Sequence, residues 1–324
     1  MSDAPAPPRK FAIFAAFAAL YLIWGSTYLG IRFAIESIPP FLMAGARFLI
    51  AGVVMFVIAI CQGAPRSTLA EWRTALIVGA CLLFCGNGSV TVAEQWVPSG
   101  LASLLVATVP IFITLLAWIS GSAPRPRPMV LLGLAGGFAG VGILVGPTLT
   151  APAAAGSRHA GVGMLILLLG DLLWSIGSLY SRRARSAASP FLSSAQTMLC
   201  GGALMMLAGF AHGEARDFDL RQVTAASLGA FVYLVLVGAI VGYTAYIWLL
   251  RHCDPSKVAT YAYVNPVIAV LLGTFFAGET LTLRTVAAAA VIIGAVAVVI
   301  TAQQAQEKVP LPSRPQLHKR TESS

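Results

Sequence analysis

A chain of 324 residues with 58% hydrophobic and only 10% charged residues is too apolar for a soluble domain, where about a quarter of residues are charged. The net charge of +9 lies in short loops and tails, which reads as membrane orientation and speaks against a nucleic-acid partner. The five cysteines lie in or beside apolar runs. Cys81 and Cys85 share a helix face, but no His or carboxylate stands near them in sequence, so they read as small apolar side chains. No metal or cofactor is expected.

A span needs about 20 predominantly apolar residues, and ten segments qualify. A short cytoplasmic tail, 1–10, ends in Arg9-Lys10. No small-residue cleavage site follows, so the next run reads as a helix rather than a signal peptide. The first span, roughly 11–32, carries Tyr21, Gly25, Tyr28 and Arg32 along one stripe, with Trp24 assigned to the interfacial aromatic belt. The second, roughly 41–61, contains Arg47. At that depth Arg47 is costly unless paired, and a structural partner such as Asp171 or a snorkelling position is expected. The third, roughly 73–93, places Asn87 and Thr91 on one face, with Glu94 toward the outer end. The fourth, roughly 98–119, holds Pro110 in mid-span, and the fifth, roughly 128–147, is rich in glycine (Gly133, Gly136, Gly137, Gly140, Gly142). A periplasmic linker is expected at 148–160.

The sixth span, roughly 161–181, carries Asp171, Trp174, Ser175 and Ser178. The seventh, roughly 191–211, is followed by the polar loop His212–Gln222. The eighth, roughly 226–249, adds Tyr243 and Tyr246. The ninth, roughly 256–276, holds Tyr261, Tyr263 and Asn265 just before Pro266. The tenth, roughly 285–302, presents Ala287–Ala290 and Gly294, which with the glycines of the fifth form close-packing surfaces between halves or protomers. The charged, Pro-rich tail 303–324 is expected to be cytoplasmic and disordered.

The chain contains itself twice. Trp24, Arg32, Pro40-Phe41-Leu42, Gly52 and Met55 recur 150 residues later, and eleven of 34 positions between Leu22 and Met55 are identical at that offset. Pro110, Leu115 and Leu116 recur at Pro266, Leu271 and Leu272, an offset of 156. Each copy, 11–147 and 161–302, holds five spans, so the second must enter the membrane from the opposite side. Two inverted halves imply a substrate path between them near the bilayer midplane. With both termini inside, fifteen Lys/Arg fall on the cytoplasmic side and five on the other.

Several segments together resemble the EamA branch of the drug/metabolite transporter superfamily. They are Tyr21-Leu-Ile-Trp-Gly-Ser-Thr-Tyr28, Gly86-Asn-Gly-Ser-Val-Thr-Val-Ala-Glu-Gln95, Val97-Pro-Ser-Gly100, Val106-Ala-Thr-Val-Pro-Ile111, Tyr261-Ala-Tyr-Val-Asn-Pro-Val267 and Gly278-Glu279. The likeness is greatest to bacterial inner-membrane exporters and spans Phe11 to Thr301. It implies an all-α membrane protein with ten helices in two inverted five-helix repeats, and export of amino acids or related metabolites, from a monomer or a dimer.

Polar and aromatic groups at mid-span depth usually face a cavity or another helix. The expected substrate-binding residues are Tyr28, Asn87, Thr91, Trp174, Ser178, Tyr243, Tyr246, Tyr263 and Asn265. Any of the tyrosines could instead pack or face lipid, and Asn87 could join helices. Pro110 and Pro266 free backbone carbonyls and are expected to form matched bends, as hinges or cavity walls. Asp171 could couple transport to protons or pair with Arg47. No Walker-type sequence offers ATP drive, no charged ring marks a channel filter, and the four histidines lie in loops, helix ends or the tail, away from any catalytic set.

Overall fold

The computed structural model describes residues 10–123, 125–150, 155–187, 189–216, 218–253, 258 and 260–307, with the backbone alone at 144–150, 155–158, 247, 250–251, 263 and 303–307. The helices are α1 (Lys10–Ala34), α2 (Pro40–Cys61), α3 (Leu69–Ala93), α4 (Ser99–Ile119) and α5 (Pro128–Thr150). The second half follows with α6 (Ala155–Ser181), α7 (Pro190–His212), α8 (225–252), α9 (Tyr261–Ala277) and α10 (Leu283–Glu307). No strand occurs among the described residues. Eight helices are long and apolar enough to cross a membrane, while α5 and α9 contribute the shorter apolar stretches Pro128–Ile143 and Val264–Ala277. Ten crossings return Glu307 to the face at which Lys10 enters, the terminal face.

Local chemistry moves several boundaries. α3 begins at Leu69 rather than near 73 because Thr68 and Glu71 form a capping box: Thr68 Oγ1 accepts from Glu71 N at 3.3 Å and Glu71 Oε2 from Thr68 N at 2.8 Å. The expected linker 148–160 is largely helix, since α5 runs to Thr150 and α6 starts at Ala155. Residues 1–9 and 308–324 of the expected tails, and 151–154 of the linker, lie outside the described residues.

Lipid is as apolar as a leucine side chain, so membrane helices associate through close packing and hydrogen bonds. The closest seams join repeat equivalents, α2 with α7 and α5 with α10. A Cβ on Gly45 would meet the Gly202 carbonyl oxygen at 3.1 Å, and one on Gly202 would meet that of Gly45 at the same distance, the reciprocity of a two-fold. Across the second seam, a Cβ on Gly133 would fall 2.8 Å from Val299 and one on Gly140 2.6 Å from Ile292. Gly133 and Gly140 of α5 therefore pack within one chain, between its halves, while Gly137 faces Ile111 of α4 and Gly142 and Gly294 meet nothing within 4 Å.

The first helix of each half lies on the third and fourth helices of the other. α1 packs on α8 and α9, and α6 packs on α3 and α4. In both third helices the middle is wound as π-helix, Gly79–Asn87 in α3 and Leu234–Val241 in α8. Such wider turns leave carbonyls less regularly paired and occur often at functional sites.

On the face opposite the termini, α2 and α4 begin behind Pro39 and Pro98, whose side chains make no cap hydrogen bond. Carboxylates of the second half take that role. Glu214 accepts from Phe41 N at 3.2 Å and Leu42 N at 2.9 Å. Glu279 accepts from Ser99 N at 2.6 Å, Ser99 Oγ at 2.7 Å and Gly100 N at 2.9 Å. A carboxylate suits a helix N-terminus both as acceptor and as countercharge.

Candidate functional site

At the joint of α1 with α8 and α9, four aromatic rings meet. Trp24 lies 5.7 Å from Tyr243, 5.2 Å from Tyr246 and 5.0 Å from Tyr261, ring centroid to centroid, with Tyr261 edge-on. The indole reaches them because α8 has no side chain at Gly242, where a Cβ would fall 2.6 Å from Trp24 Nε1. Trp24 thus belongs inside the bundle, not in the interfacial belt. A chain in the belt would keep the ring at the headgroups, whereas here Gly242 lets it enter between helices. Toward the terminal face, Leu20, Leu249 and Val258 close beneath the cluster. Tyr21 OH is hydrogen-bonded to Thr260 Oγ1, and Ser26 Oγ to Tyr233 OH. At Gly25 a Cβ would lie 3.2 Å from the Asn265 carbonyl, so Asn265 sits against α1, one turn from Trp24 and Tyr28.

Nearer the opposite face lies a set of buried polar groups without partners inside the protein. Arg47 is 4% exposed and its Nε and Nη1 make no hydrogen bond; Glu94 is wholly buried and neither carboxylate oxygen is bonded. Asn87 Oδ1 in α3 is likewise unpartnered, as are, nearer the terminal face, Gln196 Nε2 in the first turns of α7 and Asn265 Oδ1 in the first turns of α9. The Arg47 guanidinium carbon stands 4.7 Å from the Phe48 ring centroid. Its Nη2 and Thr27 converge on the π-helical segment of α8, where a Cβ on Gly238 would lie 3.5 Å from Nη2 and 3.2 Å from Thr27 Cγ2. Glu94 is held at its backbone, where its carbonyl accepts from Arg32 Nη1 at 2.8 Å. An unpaired buried charge costs several kcal/mol, so Arg47 and Glu94 mark a place built to meet something charged.

The pairing of Arg47 with Asp171 expected from sequence does not occur. Asp171, 4% exposed, accepts instead from Thr108 Oγ1 at 3.2 Å, at the break in α4. Ser175 Oγ, one turn on, donates to the Asp171 carbonyl at 2.7 Å and reaches the Val109 carbonyl at 3.4 Å. These groups of α6 cover the backbone freed where α4 breaks. The two prolines differ accordingly. α4 is interrupted between Val106 and Val109 and Pro110 opens its second part, while α9 runs continuously through Pro266. The Ser175 hydroxyl and the Asp171 carboxylate of α6 lie at the break in α4, whereas α9 stays helical through its proline.

The other expected residues fall at the joint of α6 with α3. Trp174 rests on Gly86, where a Cβ would be 2.6 Å from Trp174 Cε3. Thr91 is fully buried and donates to the Asn87 carbonyl at 3.0 Å, and Ser178 donates to the Trp174 carbonyl at 2.8 Å. Both hydroxyl protons therefore go to carbonyls of their own helices, and the hydroxyl oxygens keep acceptor capacity. The side chain of Tyr263 lies outside the described residues. The structure thus gathers Tyr243, Tyr246 and Asn265 with Trp24 and Tyr261, and Tyr28 stands one turn along α1 from Trp24. Trp24, Arg47, Glu94, Gln196 and Tyr261 are the residues that sequence reasoning left out. Glu94 follows the last helical residue of α3 and so reads as a loop acid, although the fold buries it.

The chain is similar to known proteins over most of its length. The EamA-like transporter family model matches residues 10–146 and 161–301, one match per half. The uncharacterized inner membrane transporter YedA of Escherichia coli (strain K12) is 39% identical over 293 residues, covering 89% of this chain and 90% of that protein. The uncharacterized transporter YvbV of Bacillus subtilis (strain 168) is 25% identical, covering 93% of this chain and 95% of its own length. A solved crystal structure 21% identical in sequence covers 91% of this chain and 100% of its own with a TM-score of 0.60, a likeness of fold.

Proposed function

The chain belongs to the EamA-like transporter family, and from that premise we propose that it is an inner-membrane secondary transporter exporting neutral or aromatic amino acids. The observation that carries this reading is the aromatic cluster of Trp24, Tyr243, Tyr246 and Tyr261 beside buried, unpartnered Arg47, Glu94, Asn87 and Asn265 between the two halves. Rings with polar tips suit a partly apolar ligand, and their faces attract an ammonium group. Tyr28, Tyr243, Tyr246 and Asn265 contact the substrate in this reading, while Trp174 and Asn87 support it from α6 and α3. The terminal face is cytoplasmic, as the fifteen-to-five split of Lys/Arg favours.

Transport proceeds by alternating access. α1 moves on α8 and α9 as α6 moves on α3 and α4, with the break at Pro110 and the proline-weakened turn at Pro266 taking up the bending. Purified protein in liposomes is expected to catalyse saturable counterflow of amino acids. No exchange across a broad amino-acid panel would remove this substrate class and favour export of drugs or other metabolites, and single-channel currents would favour a passive pore.

A second reading, proton-coupled antiport, is favoured by Asp171, a carboxylate buried well inside α6. Counterflow after a pH jump, compared between wild type and Asp171→Asn, decides it. An equal response in both removes Asp171 as the coupling group.

A further inference from the structure

We propose that Arg47 and Glu94 are the two charge poles of the substrate site, one holding the carboxylate and the other the ammonium of a zwitterionic α-amino acid. This rests on the export reading above and adds what the site selects. The two groups carry opposite charge, are buried to 4% and 0% exposure, and keep buried charged atoms without a hydrogen-bond partner. The unpartnered atoms of Arg47 and Glu94 form no hydrogen bond with each other. Each charge alone is costly in the membrane. Held apart by their helices, α2 and the end of α3, they suit a ligand that brings both signs.

The neighbouring charges are already engaged. Glu279, the other acid near Glu94, is bound by the amides of Ser99 and Gly100 and by the Ser99 hydroxyl. Arg32 gives Nη1 to the backbone carbonyl of Glu94 rather than to its carboxylate. Asp171 is taken by Thr108. On the other side, the guanidinium lies against α8 at Gly238, where a Cβ would be in ordinary contact with Nη2 at 3.5 Å. The Arg47 guanidinium has buried donors at Nε and Nη1 that no group of the protein takes up, and an arriving carboxylate would accept from them. The tyrosines toward the terminal face then receive the side chain.

A ligand with one charge leaves the opposite pole uncompensated, so discrimination against it is expected to be about tenfold or more, as for sites whose buried polar groups lose their partner. Phenylalanine, phenethylamine and 3-phenylpropionate serve as competitors of amino-acid counterflow in proteoliposomes. Wild type is expected to reject both single-charge compounds. Arg47→Gln is expected to lose its preference over the amine, Glu94→Gln its preference over the acid, and Arg47→Lys to keep the wild-type ranking. Amino-acid exchange with an unchanged ranking in both glutamine variants overturns this inference and leaves the export reading intact. Should those variants not fold, the wild type alone decides: competition by amine or acid equal to that of phenylalanine overturns it. Wild-type liposomes that exchange no amino acid overturn the export reading and this inference together.

Discussion

Trp24 and Trp174 stand 150 residues apart, and each rests on a glycine, Gly242 and Gly86, themselves 156 apart. The joint between the first helix of one half and the third of the other was thus duplicated whole, ring and receiving gap together. What surrounds it has diverged. Around Trp24 are three tyrosines and an asparagine with an unbonded oxygen. Around Trp174 the hydroxyls of Ser178 and Thr91 turn back onto helix carbonyls, and Asp171 and Ser175 seal the break in α4. Both joints are tied across the halves, by Tyr21–Thr260 and Ser26–Tyr233 at one and by Thr108–Asp171 at the other, but only the first gathers tyrosine rings about its tryptophan.

That contrast is open to direct test. Trp174→Ala should show the largest change, a loss of about 3–5 kcal/mol typical of removing a packed aromatic, measured as a fall in thermal stability in detergent, with folded protein still transporting. A stable but inactive variant would move the substrate to the α6 joint. Glu279→Gln should follow, at about 1–3 kcal/mol, because it removes the charge from three hydrogen bonds at the start of α4. Glu214→Gln, with two such bonds, should cost less. Trp24→Leu should show the inverse pattern to Trp174→Ala. Its counterflow KM should rise about tenfold, the equivalent of about 1.4 kcal/mol, with a melting temperature near wild type, and an unchanged KM would take the aromatic cluster out of the site. The smallest effect belongs to Gly142→Ala. A Cβ there meets nothing within 4 Å, so the helix should gain up to about 1 kcal/mol, whereas Gly140→Ala must displace Ile292 and lose stability.

Much of the fold is legible in the residues alone. Ten apolar runs, an odd number per copy and the matched Trp24 and Trp174 suffice for two inverted halves. The site is legible where chemistry is local: Tyr243 and Tyr246, three apart on one helix, are bound to share a face. It is illegible where partners come from another element. Arg47 invites a partner and Asp171 is the obvious carboxylate in a span, yet Thr108 claims Asp171 from a break in α4 that the proline pattern does not distinguish from the unbroken α9. Neither π-helical segment has a compositional signature that separates Gly79–Asn87 or Leu234–Val241 from ordinary apolar helix.

By itself the sequence determined which segments cross the membrane, that the crossings form two copies, and that the copies oppose each other, because hydropathy and repetition are properties of single segments. Tertiary structure alone decided that Trp24 enters the bundle, that Glu94 is buried rather than wetted, and that Arg47 and Glu94 face inward unpaired. Burial and pairing depend on what the neighbouring helix presents at that height, and the receiving groups, Gly242, Gly238 and Arg32, lie far away in the chain or on another helix.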